Sequence, residues 1–354
     1  MFKRNVTLFF FFLIGTFTVT TVYAGNWEDG CYWKDGAWQK LSLPREATDS
    51  RTGGIAVSGD AVYIAGSYSN AQGSFACYWR NGVIQNLSIP SGAKYPSASG
   101  IAVSGDVVYI AGSYDGIACY WRNGVIQNLS IPSGAKSSKA NDIVISGGVV
   151  YIAGSYYDAQ GNDTPCYWRN GVIQNLSIPS GAIYPKTSGI AVSGDAVYIA
   201  GSYRDAQYNT TPCYWRNGVI QNLSSPSGAI SPSTGGIAVS GDVVYIAGSY
   251  GKNYVDGPPG YEFSYACYWR NGVLHNLSLP TGTNDSTANA IAVSGDIVYV
   301  AGSPSYSVVS TICYWKNGVA QNLSVPANLR KYARITGIAV SGNSVYIATT
   351  FWMQ

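Results

Sequence analysis

The stretch IAVSGDAVYIAGSY, from Ile55 to Tyr68, and the stretch CYWRNGVIQNLS, from Cys77 to Ser88, decide the fold of this chain. In each stretch, two runs rich in β-branched and aromatic residues flank a tight-turn pair, Gly59-Asp60 in the first and Asn81-Gly82 in the second. Asn-Gly accepts the positive φ angles that a type I′ turn requires at both central positions. Each stretch therefore predicts an antiparallel hairpin, and the two together predict a four-stranded unit.

Both stretches recur seven times along the chain in strict alternation. The Cys-Tyr-Trp block begins at Cys31, Cys77, Cys119, Cys166, Cys213, Cys267 and Cys313. The IAVSG block or a close variant begins at Ile55, Ile101, Ile143, Ile190, Ile237, Ile291 and Ile338. A period of 42 to 54 residues with four strands per unit is typical of a propeller blade. The sequence therefore predicts an all-β, seven-bladed β-propeller with four antiparallel strands in each blade.

The two ends of the chain carry complementary half-units. The chain begins with an outer hairpin, Cys31 to Ser42, which no inner hairpin precedes. It ends with an inner hairpin, Gly337 to Trp352, which no outer hairpin follows. These two hairpins are expected to pair as one blade, so that the ring closes without the exposed strand edges of an open array.

The VYIAG strand after a Ser-Gly-Asp turn, followed by a CYWRNG hairpin, resembles the bacterial secreted seven-bladed β-propeller repeat proteins. The resemblance covers nearly all of the chain after its first residues and implies the propeller fold. It implies no particular activity, because the strand and turn pattern is specific for the fold alone. The pattern differs from WD repeats, which carry a Gly-His…Trp-Asp pair, and from kelch repeats, which carry a double glycine.

The N-terminus has the pattern of an export signal. Lys3 and Arg4 precede an apolar run from Val6 to about Thr18, and Val22-Tyr23-Ala24 supplies small residues for cleavage. Residues 1–24 are therefore interpreted as a signal peptide that is cleaved after Ala24, and residues 25–354 as one propeller domain. The expected location is secreted or periplasmic, without a membrane span after cleavage. The alternative interpretation is an uncleaved anchor, although the run is shorter than the ~20 apolar residues of a typical span.

Composition narrows the classes of function. Charged residues make up only 11% of the chain, the formal net charge is +3 and 46% of residues are hydrophobic. A chain this apolar is not disordered, and a chain this weakly basic is not expected to bind nucleic acid. A monomer is expected.

The two faces of the predicted disc differ in how much they vary. Hairpin turns lie on one face and are nearly invariant among the repeats, whereas the other connections range from Asp115-Gly116 to the long Gly251–Tyr265 segment. Variable loops on a rigid scaffold usually carry the function, so a glycan or protein ligand is expected on this variable face. The candidate ligand-binding residues are Tyr68, Tyr114, Tyr156, Tyr203, Tyr250, Tyr254, Asp256, Tyr261 and Glu262. The alternative for the tyrosines that end each GSY strand is that they cover the rim of the core.

Residues that could carry chemistry are few. The seven cysteines share one blade position, so they are predicted to be free buried thiols that form neither disulfides nor a metal site. His275 is the only histidine, which argues against nucleophile–His–acid catalysis and His metal sites. A carboxylate pair for glycosidic chemistry could still combine Glu262 with Asp256 or Asp205. No cofactor is expected.

Two further features recur with the repeats. A ring of cations precedes the Asn-Gly turns. It is interpreted either as a solvated rim that aids solubility or as a weak attraction to anionic surfaces. The ring consists of Arg80, Arg122, Arg169, Arg216, Arg270 and Lys316. Asn-X-Ser sequons recur within QNLS or HNLS as a product of duplication, whereas Asn162, Asn209 and Asn284 lie in predicted loops and are better acceptors for glycans.

The favoured function is an exported, non-enzymatic binding propeller. The alternatives are a structural or surface-display propeller without a small ligand, and a carboxylate-dependent polysaccharide hydrolase or lyase.

Overall fold

The tight turns adopt the backbone geometry that their residues favour. Asn81 and Gly82 have φ angles of 51° and 78°, as in a type I′ turn. In the inner hairpin Gly59 has a φ of 56° and is followed by Asp60 with an ordinary negative φ, the pattern of a type II′ turn. The outer turns of all blades share the first geometry and the inner turns of most blades share the second, whereas in one inner turn both Gly147 and Gly148 have positive φ angles, 55° and 75°. These turns set the register of the hairpins.

The computed structural model describes residues 27–253, 262–303, 312–325 and 332–353, and the predicted signal peptide, 1–24, lies outside them. Within these ranges no helix is long and apolar enough to cross a membrane. The described residues form 28 strands: β1 (Trp27–Lys34), β2 (Ala37–Lys40), β3 (Asp49–Ser58), β4 (Ala61–Asn70), β5 (Gly73–Arg80), β6 (Val83–Asn86), β7 (Ser97–Ser104), β8 (Val107–Tyr114), β9 (Ile117–Arg122), β10 (Val125–Asn128), β11 (Ser137–Ser146), β12 (Val149–Tyr157), β13 (Asp163–Arg169), β14 (Val172–Asn175), β15 (Ile183–Ser193), β16 (Ala196–Arg204), β17 (Thr210–Arg216), β18 (Val219–Asn222), β19 (Ile230–Ser240), β20 (Val243–Asn253), β21 (Glu262–Arg270), β22 (Val273–Asn276), β23 (Thr287–Ser294), β24 (Ile297–Ser303), β25 (Ile312–Lys316), β26 (Val319–Leu323), β27 (Tyr332–Ser341) and β28 (Ser344–Met353).

The strands assemble into seven four-stranded antiparallel sheets, so the seven-bladed all-β propeller predicted from the repeats is confirmed. Blades 1 to 6 are β3–β6, β7–β10, β11–β14, β15–β18, β19–β22 and β23–β26, and blade 7 has the order β2-β1-β28-β27. The first strand of each blade contacts the first strand of the next, and β27 contacts β3. These contacts arrange the blades in a ring with the first strands nearest the axis.

Blade 7 joins the two ends of the chain. β1 pairs with β28 over eight residues on each strand, from Trp27 opposite Met353 to Lys34 opposite Tyr346. The Asp35 carboxylate also accepts a hydrogen bond of 2.9 Å from the Val345 amide. In the other blades an Asn of the outer turn makes the same bond, for example Asn81 with Val62.

Tryptophan holds neighbouring blades together. In blades 1 to 6 the Trp of Cys-Tyr-Trp is fully buried, and its Nε1–H donates to a serine carbonyl of the preceding blade at 2.6–2.7 Å. That serine ends the QNLS or HNLS motif, or its LS counterpart at Ser42 in blade 7. A Cβ on Gly201 would lie 2.6 Å from the Trp215 ring, which explains why the second strand carries glycine at the point where the ring packs.

The rest of the recurring sequon has packing roles as well. Its leucine is buried in every blade. Its asparagine accepts a hydrogen bond from a GSY tyrosine, as at Tyr250 Oη to Asn276 Oδ1, 2.9 Å. These contacts give the Asn-X-Ser repeat a structural explanation.

Connectivity fixes the two faces of the disc. The turns within hairpins lie on one face, here called the short-turn face, and the connections between hairpins and between blades lie on the other, here called the loop face. On the short-turn face, each blade places a Lys or Arg over the ring of a tyrosine on its second strand at 5.2–5.9 Å. The predicted ring of cations is therefore present and packed on aromatic rings, a favourable cation–π arrangement.

Candidate ligand-binding face

A cavity of about 1020 Å³ opens at the axis of the ring. Its wall is formed by the first halves of the inner strands, which begin at the loop face, so the cavity belongs to that face. Small polar side chains line most of it, including Thr52, Ser99, Asn141, Thr187, Thr234 and Asn289. Tyr157 and Trp352 add two aromatic rings to the lining. Such a mixture of hydroxyl, amide and aromatic groups suits a polar ligand that also has apolar patches.

Four cations line this cavity at one strand position. Arg51, Lys139, Lys186 and Arg334 are all exposed and all contribute to its wall. Each lies opposite a Ser or Thr of the second strand in its blade: Ser67, Ser155, Ser202 and Thr350. Ser97, Ser233 and Thr287 occupy the same position in blades 2, 5 and 6. The cations therefore lie in blades 7, 1, 3 and 4, with the serine of blade 2 between them, and blades 5 and 6 have none at this position.

Two carboxylates lie among the described residues of the cavity wall, and the surroundings of Asp163 are the more open. Burial raises the pKa of Asp163, while a hydrogen bond from Ser155 and the charges of Lys186 and Lys139 oppose the rise. Its Oδ1 atom is buried without a hydrogen-bond partner. Two of the cations thus act on Asp163, and this one carboxylate offsets only part of their charge.

Asp142 occupies a tighter position, where most other blades have glycine. Its carboxylate accepts a hydrogen bond from the Ile143 amide at 2.9 Å and from the Ile190 amide of the next blade at 3.0 Å. Burial raises its pKa to about 6, and the two backbone hydrogen bonds oppose that rise. Asp142 therefore links blades 3 and 4 and carries less than a full negative charge near pH 6.

A groove of about 280 Å³ between blades 4 and 5 continues from the cavity. The two share five lining residues: Lys186, Thr187, Ser188, Ser233 and Thr234. The groove adds Tyr184, Arg204 and Thr210 from blade 4 and Pro232 from blade 5. The cavity and the groove therefore form one continuous concave surface on the loop face.

A pair of exposed tyrosines stands beside the groove. The rings of Tyr184 and Tyr208 stack with centroids 6.3 Å apart and 30° between their planes. Tyr184 is 54% exposed and Tyr208 is 61% exposed. Their φ angles are 50° and 66°, in the left-handed region that bulky side chains rarely adopt. The equivalent of Tyr208 in blade 3 is Gly161, with a φ of 88°.

The candidate residues taken from the sequence fall into three groups. The side chains of Tyr68, Tyr114, Tyr156, Tyr203 and Tyr250 are only 4–9% exposed and pack between blades. This placement corresponds to the alternative interpretation, in which these rings cover the core. Tyr254, Asp256 and Tyr261 lie outside the described residues, and Glu262 is exposed at the start of β21.

The side chains considered as catalytic or metal-binding candidates are either far from one another along the repeats or engaged in local contacts. All seven cysteines are buried and none of them forms a disulfide bond, and burial raises the pKa of the Cys119 thiol to about 12. Hydrogen bonds from Asn209 and Gln207 lower the pKa of Asp205, which ties that carboxylate to its own loop. His275 stacks on Tyr268 with ring centroids 5.0 Å apart. Among the described residues no cluster of three His, Cys, Asp or Glu side chains could hold a metal ion.

The cations of the cavity and the stacked tyrosines were missed by the sequence reasoning. The signal for the cations was present, because Arg51, Lys139, Lys186 and Arg334 each precede the isoleucine of an IAVSG block by four residues. A comparison of repeats at that position would have found them. No comparable signal marked Tyr184 and Tyr208, which come from two different loops and meet only in the folded blade.

Comparisons with known proteins agree with the architecture. A family model described as the LVIVD repeat matches residues 97–117, which span the first hairpin of blade 2. No curated protein matches the sequence significantly.

Three solved structures share the fold at low sequence identity. A puromycin-hydrolyzing peptidase of Mycobacterium tuberculosis is 13% identical with a TM-score of 0.52, over 84% of this chain and 49% of the peptidase. The propeller domain of the Trilobed protease of Pyrococcus furiosus is 10% identical with a TM-score of 0.50, over 87% of this chain and 91% of that domain. The structure of Drosophila Semaphorin 1b, extracellular domains 1–2, is 10% identical with a TM-score of 0.50, over 84% of each chain.

This chain spans about half the length of the mycobacterial peptidase, and at these identities the similarities concern the fold alone. The repeat match, the seven sheets and their ring contacts agree on one architecture. The chain is a β-propeller repeat protein.

Proposed function

We propose that this protein is an exported, non-enzymatic binding propeller that engages a glycan on its loop face. The observation that carries the proposal is the stacked pair of Tyr184 and Tyr208, exposed beside a groove and held at positive φ. Export is part of the proposal and depends on the signal pattern in residues 1–24.

The backbone of Tyr208 argues for a role beyond packing. A bulky residue in the left-handed region costs about 1–2 kcal/mol relative to glycine. Blade 3 has glycine at the position of Tyr208. Two large apolar rings that are more than half exposed also contribute little to the core. Strain of this kind is often found where a side chain contacts a ligand.

The groove supplies the polar half of a glycan site. Arg204 offers guanidinium donors, while Thr210, Ser188 and Ser231 offer hydroxyl groups that donate and accept. Sugar rings combine an apolar face with a rim of hydroxyls, so a tyrosine ring beside such donors matches both parts. The groove also opens to the axial cavity, which gives room for more than one sugar unit.

The alternatives to this function are an assembly role, a protein ligand and carboxylate-dependent catalysis. A structural or surface-display propeller would use the disc as an assembly part, and a protein ligand could use the same tyrosines. A carboxylate-dependent hydrolase would need Glu262 and a second acid, and Asp205 is bound within its own loop. An assembly role and a hydrolase give no reason for exposed aromatic residues beside the groove, whereas a protein ligand is distinguished from a glycan only by the binding experiment.

The test is a glycan array with the mature protein, followed by titration calorimetry on the best ligand. Tyr184→Ala should weaken binding by at least about fivefold, since stacking of a planar ring on one aromatic side chain, as measured for nucleic-acid bases, contributes about 1–3 kcal/mol. Tyr208→Gly should weaken binding similarly while leaving the unfolding free energy within about 1 kcal/mol, because relief of backbone strain offsets the lost ring contact.

The matched control is Tyr95→Ala. Tyr95 occupies the position of Tyr184 in blade 2, has a φ of 52° and is 82% exposed, but it borders neither the cavity nor the groove. This variant should bind normally. Equal losses in Tyr95→Ala and Tyr184→Ala, or an array without any glycan ligand, would refute the proposed site. Polysaccharide turnover that Glu262→Gln abolishes would favour the hydrolase instead.

A further inference from the structure

We infer that the axial cavity is an anion-binding subsite, which makes the ligand of this propeller an acidic glycan that carries carboxylate or sulfate groups. The inference rests on the proposed glycan function and names the class of glycan. It is carried by the placement of Arg334, Arg51, Lys139 and Lys186 at one register position around the cavity.

The charge of the described wall is positive. Four cations face two carboxylates, and one of those, Asp142, lies under two backbone amides rather than open to a ligand. Asp163 lies near Lys139 and Lys186 and partly compensates them. A ligand that enters the cavity therefore meets a surplus of ammonium and guanidinium groups.

The arrangement belongs to this cavity wall and leaves blades 5 and 6 without a cation. Those two blades carry Ser233 and Thr287 at the same position, and blade 2 carries Ser97 between the cations of blades 1 and 3, so the cations form an arc over four of the five consecutive blades from 7 to 4. The other cation set, on the short-turn face, lies over tyrosine rings. The cavity cations instead lie opposite Ser or Thr hydroxyls, which can donate to the same oxyanion.

The arc and the aromatic pair lie close enough for one ligand. Lys186 belongs both to the arc and to the groove that Tyr184 borders. A polymer of acidic sugars could therefore stack one ring on Tyr184 and place its acid groups in the cavity. The cavity volume of about 1020 Å³ exceeds the volume of a single sugar unit and suits a short oligosaccharide.

The experiment compares two forms of one sugar chain by titration calorimetry: oligogalacturonate, which carries carboxylates, and its fully methyl-esterified form, which is neutral. Sulfated and unsulfated dextran oligosaccharides form the second pair, so that carboxylate and sulfate sources are distinguished. The native protein should prefer at least one acidic form by tenfold or more at low salt, and the preference should shrink at 0.5 M salt because exposed charges are screened.

The double variant Lys139→Gln with Lys186→Gln should lose most of this preference and keep its affinity for the neutral form. Lys139→Arg with Lys186→Arg should retain the preference. The matched control, Arg122→Gln with Arg169→Gln, removes the same charge from the short-turn face and should leave the preference unchanged.

The outcomes separate the two proposals. Binding of neutral and acidic forms with equal affinity would overturn the anion subsite and leave glycan binding in place. Absence of binding to every glycan would overturn the proposed function itself. An equal loss in the Arg122/Arg169 control would show that the attraction is delocalised, and tighter binding of an oligothymidylate than of any acidic glycan would assign the arc to nucleic acid; either result overturns the inference.

Discussion

At the scale of single residues, Asp142 shows how a diverged repeat position acquires a role. Most blades have glycine there, and a Cβ on Gly100 of blade 2 would lie 2.6 Å from the Asp142 carboxylate. The carboxylate thus fills the space that the neighbouring glycine leaves. It accepts amide hydrogen bonds from blades 3 and 4, so this one residue both contributes to the cavity wall and joins two blades.

The buried carboxyl group predicts a pH dependence of stability. The pKa of Asp142 is raised to about 6 in the folded protein, against 3.8 for the exposed group. Between these values the unfolded chain releases a proton that the folded protein retains, so the unfolding free energy falls as pH rises from 4 to 6. The contribution is fully present below pH 4, and its loss amounts to about 3 kcal/mol at most.

Urea unfolding of the native protein and of Asp142→Asn at pH 4, 5, 6 and 7 measures this effect. The variant loses one acceptor oxygen and should be the less stable of the two at pH 4, by about 1 kcal/mol. The difference should then diminish or reverse by pH 7, because only the native protein has the titrating group. A difference that stays constant or grows with pH would contradict the prediction.

At the scale of elements, the outer hairpin is the part that attaches each blade to the next. The Trp of the third strand is buried and donates to the serine carbonyl that follows the fourth strand of the preceding blade. The serine hydroxyl accepts from a backbone amide of the same hairpin as that Trp, as Ser177 does from Ile220 at 3.1 Å. The motif CYWRNGVIQNLS therefore encodes a hairpin. Its Trp contacts the preceding blade and its final Ser contacts the next blade.

Trp215→Phe is expected to destabilise the protein by about 2–3 kcal/mol, because it leaves the Ser177 carbonyl without its donor and removes buried ring volume. Thermal unfolding followed by circular dichroism and urea unfolding would measure the loss. Val219→Ala is the control, since Val219 lies in the adjoining strand and is mostly exposed; its effect should stay below about 0.5 kcal/mol. Equal effects of the two substitutions would show that the indole contact contributes little.

At the scale of the whole molecule, the ring depends on strands from opposite ends of the sequence. The blade order β2-β1-β28-β27 combines Trp27–Lys40 with Tyr332–Met353. Removal of one half exposes the edge of β1 and the sides of blades 6 and 1. Exposed edges and apolar surface favour aggregation.

Deletion of Gly337 to Gln354 should therefore give an insoluble or protease-sensitive product. Limited proteolysis and the sharpness of urea unfolding would test this, with residues 25–354 as the reference protein. A deletion of only Met353 and Gln354, which leaves most of the β1–β28 register intact, should remain folded. A soluble, cooperatively unfolding product from the larger deletion would argue against closure through blade 7.

The architecture of this protein could be predicted from its repeated hairpin patterns. Seven copies of two hairpin patterns, with Asn-Gly and Gly-Asp turns at fixed offsets, specify four strands per blade because turn geometry and alternating burial are local properties. A comparison of the repeats also indicated which face of the disc carries the variable loops. It did not tell whether a tyrosine that ends a GSY strand points into the core or outward, since that depends on the neighbouring blade.

Which aromatic and charged side chains are exposed together depends on the tertiary structure. The rings of Tyr68, Tyr114, Tyr156, Tyr203 and Tyr250 are buried between blades, whereas Tyr184 and Tyr208 meet at the surface from separate loops. Arg334 and Arg51 are 283 residues apart in the chain yet lie in adjacent blades at the same cavity. Ring closure brings such residues together, because it turns positions that are equivalent within each repeat into neighbours around a common axis.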